Sequence, residues 1–258
     1  MEIKTLSQPA LKVIENYLNF QAGPGACSIP YYNNRTAKTR AALRTHIGKG
    51  SPEDIKEELE TLILKNKIDS LSFTDESLKK LLVDNGLGIE CSGFCYHVLE
   101  AESQSRGHGT ISKKITFINC NGFIGQIRCS IRPIENCDVE TFADDKNSRV
   151  ISTKDVLPGD IITMTPDLDG KDRNHILIIK EVHYNNSIPQ EIIYSHSIAY
   201  PEDGVYGTGV RDGQIQIKDP NKPIIESTWI EGVRYGDTSP LFIRAKRSKT
   251  EIRRLNWF

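Results

Sequence analysis

The 258-residue sequence has no apolar run of bilayer length, no C-x-x-C pair, no His-x-x-x-His, no internal repeat and no low-complexity stretch. A membrane-spanning helix needs about 20 consecutive apolar residues, so no membrane span is expected. Structural zinc needs clustered Cys and His ligands, so no metal is expected either, and no cofactor is implied. Charge of one sign is also lacking. Lys and Arg (33) balance Asp and Glu (34), which leaves no overall field to draw the chain onto nucleic acid or an anionic membrane. The local exception is the basic set Arg244, Lys246, Arg247, Lys249, Arg253 and Arg254, read as a solvated strand and tail. The start Met1-Glu2-Ile3-Lys4 leads into an amphipathic stretch and not a signal-peptide core. The expected compartment is therefore cytoplasmic, and an extracellular or cell-wall site would require export by another route.

What is present is enough greasy side chain for a real core. Apolar residues make up 38% and charged residues 26%, a globular composition that fits one or two compact units. The six cysteines lie inside periodic segments of a chain too long to depend on staples, so reduced thiols are expected. Residues 6–20 carry Leu11, Val13, Ile14, Tyr17 and Leu18 at helical spacing before Gly23-Pro24-Gly25 breaks the pattern. Ser51-Pro52-Glu53-Asp54 is a helix start, with Ser51 as cap and Pro52 in the first turn, and the helix should run to about Lys65. Another start at Thr74-Asp75-Glu76 leads through Leu78, Leu81 and Leu82 to a stop near Asn85-Gly86. Residues 1–85 thus read as a helical N-terminal region.

Beyond residue 113 the pattern changes to short β-branched and aromatic runs. Strands are expected at Ile115-Thr116-Phe117-Ile118, at Gln126-Ile127-Arg128-Cys129-Ser130-Ile131 and at Asp160-Ile161-Ile162-Thr163-Met164. Further strands are expected over residues 176–182, 191–195, 213–218 and 241–245. With few helical segments between them, the sheet should be mainly antiparallel. The fold class is α+β.

Between these regions, Leu87-Gly88-Ile89-Glu90 leads from a glycine-containing loop into Cys91-Ser92-Gly93-Phe94-Cys95-Tyr96-His97-Val98-Leu99, whose apolar positions repeat at helical spacing. Cys91 should therefore sit at a helix N-terminus. The unpaired amides and the positive end of the macrodipole there favour thiolate, lowering the thiol pKa. The same amides can hold an oxyanion, with the Cys91 N–H as first candidate.

Glu90-Cys91-Ser92-Gly93-Phe94 resembles the D-C-S-G-F segment that carries the nucleophile of NlpC-type cysteine peptidases in the papain-like superfamily. Leu157-Pro158-Gly159-Asp160-Ile161-Ile162 and Asn174-His175-Ile176-Leu177-Ile178-Ile179 resemble that family's L-x-P-G-D-L-V and H-V-G-I-Y strands, in the same order. The resemblance covers residues 87–197. It implies a papain-like catalytic domain over residues 86–258, with the nucleophile helix packed on the sheet. It also implies Cys91 as nucleophile, His175 as base and a polar residue on the next strand as orienter. In the family's peptidoglycan-cleaving members the acid and serine beside the cysteine hold a free amine, which makes Glu90 and Ser92 candidate substrate binders. Here the acid is Glu in place of Asp, and the family's upstream G-x-P-Y-x-W-G-G stretch is absent.

A cysteine hydrolase needs a base that takes the thiol proton and returns it to the leaving group, which histidine does best near neutral pH. His175 opens an apolar strand after the polar loop of residues 167–174. His46, His97 and His108 fall in loops or within the nucleophile helix and read as non-catalytic. Pro158-Gly159-Asp160 reads as a turn into a strand, without chemistry. For the orienter, Ile192-Ile193-Tyr194-Ser195-His196-Ser197 offers Ser195 and His196, which alternation places on opposite faces. His196 is preferred because an imidazole reaches farther and can accept the proton of a neighbouring imidazole.

The expected chemistry is hydrolysis of a peptide or other amide bond through a thioester, a peptidoglycan stem peptide included. Acyl transfer by the same Cys/His pair is one alternative. A non-catalytic binding protein, using the N-terminal helices and the loop 199–212 to receive a protein partner, is another.

Overall fold

The computed structural model describes residues 1–33, 44–120, 122–166 and 174–258. The polar loop read over residues 167–174 thus lies outside the described residues except for Asn174. A short strand β1 (Glu2–Thr5) precedes helix α1 (Gln8–Leu18), followed by the hairpin β2 (Phe20–Ala22) and β3 (Gly25–Cys27). Helix α2 (Pro52–Asn66) begins with a reciprocal capping box between Ser51 and Asp54, and α3 (Asp75–Asp84) with one between Thr74 and Ser77. Each box satisfies two otherwise unpaired backbone groups, so both helices start where the sequence places them. Helix α4 (Cys91–Ser105) follows, then α5 (Gly122–Ile131) and α6 (Val139–Ala143).

From there the chain is mostly strand: β4 (Ser148–Ile151), β5 (Ile161–Pro166), β6 (His175–Asn185), β7 (Ile188–Ile198), β8 (Gly209–Gln216), β9 (Thr228–Glu231) and β10 (Arg234–Tyr235). Helix α7 (Pro240–Arg247) and strand β11 (Ser248–Leu255) close it. The strands form one antiparallel sheet in the order β10-β9-β8-β7-β6-β5-β11-β4. On one side of β6, β5 pairs with residues 175–178 and β1 with residues 181–184.

Alternation along β6 separates two cores. Ile176 and Ile178 face a core that contains Phe94, Cys95 and Val98 of α4 together with Ala10, Ile14 and Tyr17 of α1. Leu177 and Ile179 face a second core with Trp229, Leu241 and Phe242. The described residues before 86 share the first core with the rest of the chain, and β1 belongs to the main sheet.

Several expectations need correction. Gln126 to Ile131 is helical: Phe123, Ile124, Ile127 and Ile131 recur at helical spacing, although all four are exposed, and the short alternation within them was misleading. In Ile115-Thr116-Phe117-Ile118 the first and third residues are buried as alternation requires, but no strand lies beside them. The Asn147 side chain takes that place, accepting from the Thr116 N–H and donating to its carbonyl. Residues 241–245 are also helical, since Ser239 accepts from the Phe242 N–H and Pro240 sits in the first turn. The all-reduced expectation fails at Cys120 and Cys129, which form a disulfide. Their Cα atoms lie 6.5 Å apart, within the range a disulfide spans. Finally, the basic tail is not wholly solvated. Arg253 is buried against Glu251 and Ser148, and Arg254 grips Asp160 through two bonds of 2.7 and 2.8 Å.

Candidate active site

The segment before α4 is held by backbone bonds from two sides. Ile89 N–H donates to Pro30 O at 3.0 Å, Tyr32 N–H donates to Ile89 O at 3.3 Å, and Glu90 N–H donates to Gly48 O at 3.0 Å. From the sheet, Ser197 Oγ donates to Ile89 O at 2.7 Å. Close approach explains two glycines. A Cβ on Gly48, whose φ is +76°, would lie 2.2 Å from the Tyr32 carbonyl oxygen, and one on Gly93 would lie 2.8 Å from the Gly48 carbonyl oxygen. The chain enters α4 with Glu90 as its N-cap residue, and that side chain makes no capping hydrogen bond. The first-turn amides, that of Cys91 among them, have no acceptor within the helix.

Cys91 itself is only 5% exposed. Burial, followed by the Glu90 carboxylate, pushes its thiol up to about 12, although the Ile176 N–H, Lys49 and Arg244 all favour the thiolate. The expected lowering by the helix terminus is therefore overturned: removal from water outweighs the helix-end field. The Ile176 amide places the sulfur beside the start of β6. No hydrogen bond joins Cys91 to His175 among the described residues.

His175 is buried. Desolvation, then the neighbouring His196 and Arg244, hold its imidazole well below the usual histidine range. At neutral pH the resting pair is thus thiol and neutral imidazole. Its Nε2 lies 2.8 Å from His196 Nδ1, and His196 Nε2 lies 3.0 Å from Glu231 Oε2. The chain runs β6, β7, β9 through the second core, where the Tyr194 ring meets His196 edge-on.

An acid stands at the far end of this chain. Burial would raise the Glu231 carboxyl, but His196, Arg211 and the Tyr200 hydroxyl outweigh it and hold it below the usual range. Tyr200 donates to Oε2 at 3.1 Å and Arg211 to Oε1 at 3.3 Å, with Arg211 in turn held by Asp203 at 2.8 Å. An ionised carboxylate only accepts, so His196 directs an Nε2–H at Glu231. With His196 neutral its Nδ1 is bare, His175 donates from Nε2, and the His175 Nδ1 is left as the basic lone pair. No described residue hydrogen-bonds to that Nδ1.

The structure thus brings His196 to His175 and separates Ser195, whose hydroxyl donates to Asp212 at 2.5 Å. Glu90 and Ser92 face a partner within the chain. Lys49 Nζ lies 2.5 Å from Glu90 Oε1, and it donates to Ser92 Oγ at 2.7 Å and to the Cys137 carbonyl at 2.8 Å. The other histidines lie elsewhere: His97 on the Lys49 carbonyl, His46 on Glu58, His108 stacked on Phe258, and His183 between Glu181 and Glu191. Leu157-Pro158-Gly159-Asp160 is the expected turn. The Asp160 side chain accepts from the Leu157 N–H at 2.8 Å, and Gly159 adopts φ +93°.

Sequence reading missed Glu231, Lys49 and Tyr31. Glu231 ends the alternating run Thr228-Trp229-Ile230-Glu231, a slight signal because strand-end acids are common. Tyr31 is bridged to Ile89 and sits close enough to Cys91 that thiolate charge, after burial, raises its phenol. Among the described residues no group of His, Cys, Asp or Glu is arranged to hold a metal ion. No helix of the described residues is long and apolar enough to cross a membrane. No protein-family model, no curated protein and no solved structure matches this chain.

Proposed function

We propose that this protein is a cysteine hydrolase with a papain-like core that cleaves an amide bond, preferably a peptide bond, through a thioester on Cys91. The observation that carries the reading is the buried chain His175–His196–Glu231, whose strand β6 begins beside the helix N-terminus that bears Cys91. A structural histidine pair needs only satisfied hydrogen bonds. This one is terminated by an ionised acid that orients both rings, and the helix that bears Cys91 supplies free amides beside the start of the same strand. The resemblance of residues 87–197 to NlpC-type peptidases points the same way.

In the proposed reaction His175 Nδ1 takes the Cys91 proton as the sulfur attacks the carbonyl carbon. The Cys91 N–H receives the negative charge that develops on oxygen. His175 then returns the proton to the amide nitrogen, the C–N bond breaks, and an amine leaves a thioester behind. Water attacks the thioester carbonyl, giving its proton to His175. The C–S bond breaks, the carboxylic acid departs and the thiol is restored. Because the resting pair is neutral, proton transfer accompanies attack, and displacement of water by substrate is part of catalysis. A defined library of acetylated peptides tests the reading by mass spectrometry: the wild-type chain should produce new termini and Cys91→Ala should not. Cleavage that persists in the Cys91→Ala protein would refute it.

A further inference from the structure

The second polar cluster at the nucleophile is not used by that mechanism. Glu90 and Ser92 flank Cys91, and together with the Cys137 carbonyl they form a compact cation site. The site is already full. Its occupant, the Lys49 ammonium, is 5% exposed and meets three oxygens within 2.8 Å. Asn33 Nδ2 takes the other Glu90 oxygen at 3.0 Å. Three donors to oxygen exhaust the capacity of an ammonium, so this lysine is fully satisfied where it stands.

We propose that Lys49 is an internal occupant of the cation site beside Cys91, and that the active site consequently receives acyl groups carrying no free amine at that position. The inference rests on the hydrolase reading for its substrate class but not for the occupancy itself. A lone Glu90 carboxylate next to the nucleophile would attract a cationic substrate group, and it would leave an unpaired buried charge in the absence of substrate. Lys49 neutralises it permanently. The remaining charged group that acts on both Cys91 and His175 is Arg244, which is half-buried and positive. A free amine would therefore meet a filled site and a cation, whereas a blocked, neutral or acidic acyl group would not. Internal peptide segments and N-acylated ends fit this requirement, and free amino termini do not.

Two measurements separate the occupancy from the activity. Lys49→Ala removes the side chain beyond Cβ, and the missing piece is propylammonium. Its thermal midpoint should fall and should recover by several degrees in millimolar propylammonium. No such rise is expected in the wild-type chain or in Lys49→Ala/Glu90→Gln, nor with propanol as ligand. Recovery that is absent in Lys49→Ala, or equal in the double variant, would overturn the occupancy. The second measurement uses the wild-type chain, so it holds even where the variant does not fold. Peptidyl vinyl sulfones in N-acetylated and free-amine forms are compared as irreversible labels of Cys91. The acetylated probe should react at least tenfold faster, and equal or faster labelling by the free-amine probe would overturn the substrate inference. Failure of both probes to label Cys91 would overturn the selectivity together with the hydrolase reading, while the propylammonium result would still decide the occupancy.

Discussion

The two halves of the site are built in opposite ways. On the side of the proposed base, His175, His196 and Glu231 stand on three strands of one sheet, each side chain fixed by the next at 2.8 and 3.0 Å. On the nucleophile side, Cys91 is carried by a helix end to which loops 30–32 and 48–50 are bound at close range, with a lysine and a glutamate in ion contact beside it. The sheet supplies orientation, because strands hold side chains in register and a buried chain of hydrogen bonds fixes the ring planes. The helix end supplies a field, because its amides and the neighbouring charges set how costly a thiolate is. Orientation and field fail differently, and substitutions should tell them apart.

The largest effect should come from the base. His175→Ala is expected to lower turnover by about two to four orders of magnitude, the usual range for loss of a general base. Its fold should persist, as read by circular dichroism and thermal melting. Full turnover in a folded variant would break the division of labour at once.

Loss of an orienter should cost less, since the base survives and only its tautomer and angle suffer. Glu231→Gln is expected to reduce kcat by about one to two orders of magnitude less than His175→Ala does, and His196→Ala by a similar amount. The glutamine amide can donate to His196 Nε2 as readily as accept from it, so the proton pattern is no longer imposed. Ser195→Ala, on the opposite face and bonded to Asp212, should leave kcat within a few-fold. If the serine variant lost more than the histidine variant, the chain of tautomers derived above would be wrong.

How much of this could be read from the residues depends on whether the determining signal is local. The helix starts at Ser51 and Thr74, the position of Cys91 at a helix terminus and the antiparallel strand at His175 rest on neighbours in sequence, and the structure has them where they were expected. Three segments defeated local reading. Gln126 to Ile131 alternates like a strand while satisfying a helical spacing as well. Ile115 to Ile118 found a side chain, Asn147, in place of a neighbouring strand. For residues 241–245, the helix signal lay just upstream at Ser239-Pro240. In the site, alternation along Tyr194-Ser195-His196 separated the two candidate orienters correctly into two faces, but only the fold says which face holds His175. Glu231 and Lys49 come from 35 and 42 residues away in the chain, from His196 and Cys91 respectively, with no motif to announce them. The thiol pKa was misjudged for the same reason, because burial by distant segments is invisible in the helix-end motif itself.

The smallest effect sharpens the electrostatic side of the comparison. An imidazole held well below its ordinary value of 6.5 stays neutral in the folded protein while the unfolded chain takes up a proton. Stability from this source is complete above that pH and is lost as pH falls through it, at about 1.4 kcal/mol per pH unit per histidine. Urea melts between neutral and mildly acidic pH should therefore show a shallower decline for His175→Gln than for the parent. Identical slopes would mean that His175 protonates freely and is not enclosed as described.

The central claim is a covalent bond to one sulfur. N-acetylated amino acid p-nitrophenyl esters acylate a competent thiol faster than the thioester hydrolyses, so rapid acid quench followed by peptide mass spectrometry should locate the acyl group on Cys91. The account predicts a single acyl adduct there, formed in a burst by the wild-type chain and slowed by orders of magnitude in His175→Ala. An unmodified Cys91 during ester turnover, or an adduct on Cys27 with Cys91 untouched, would contradict it.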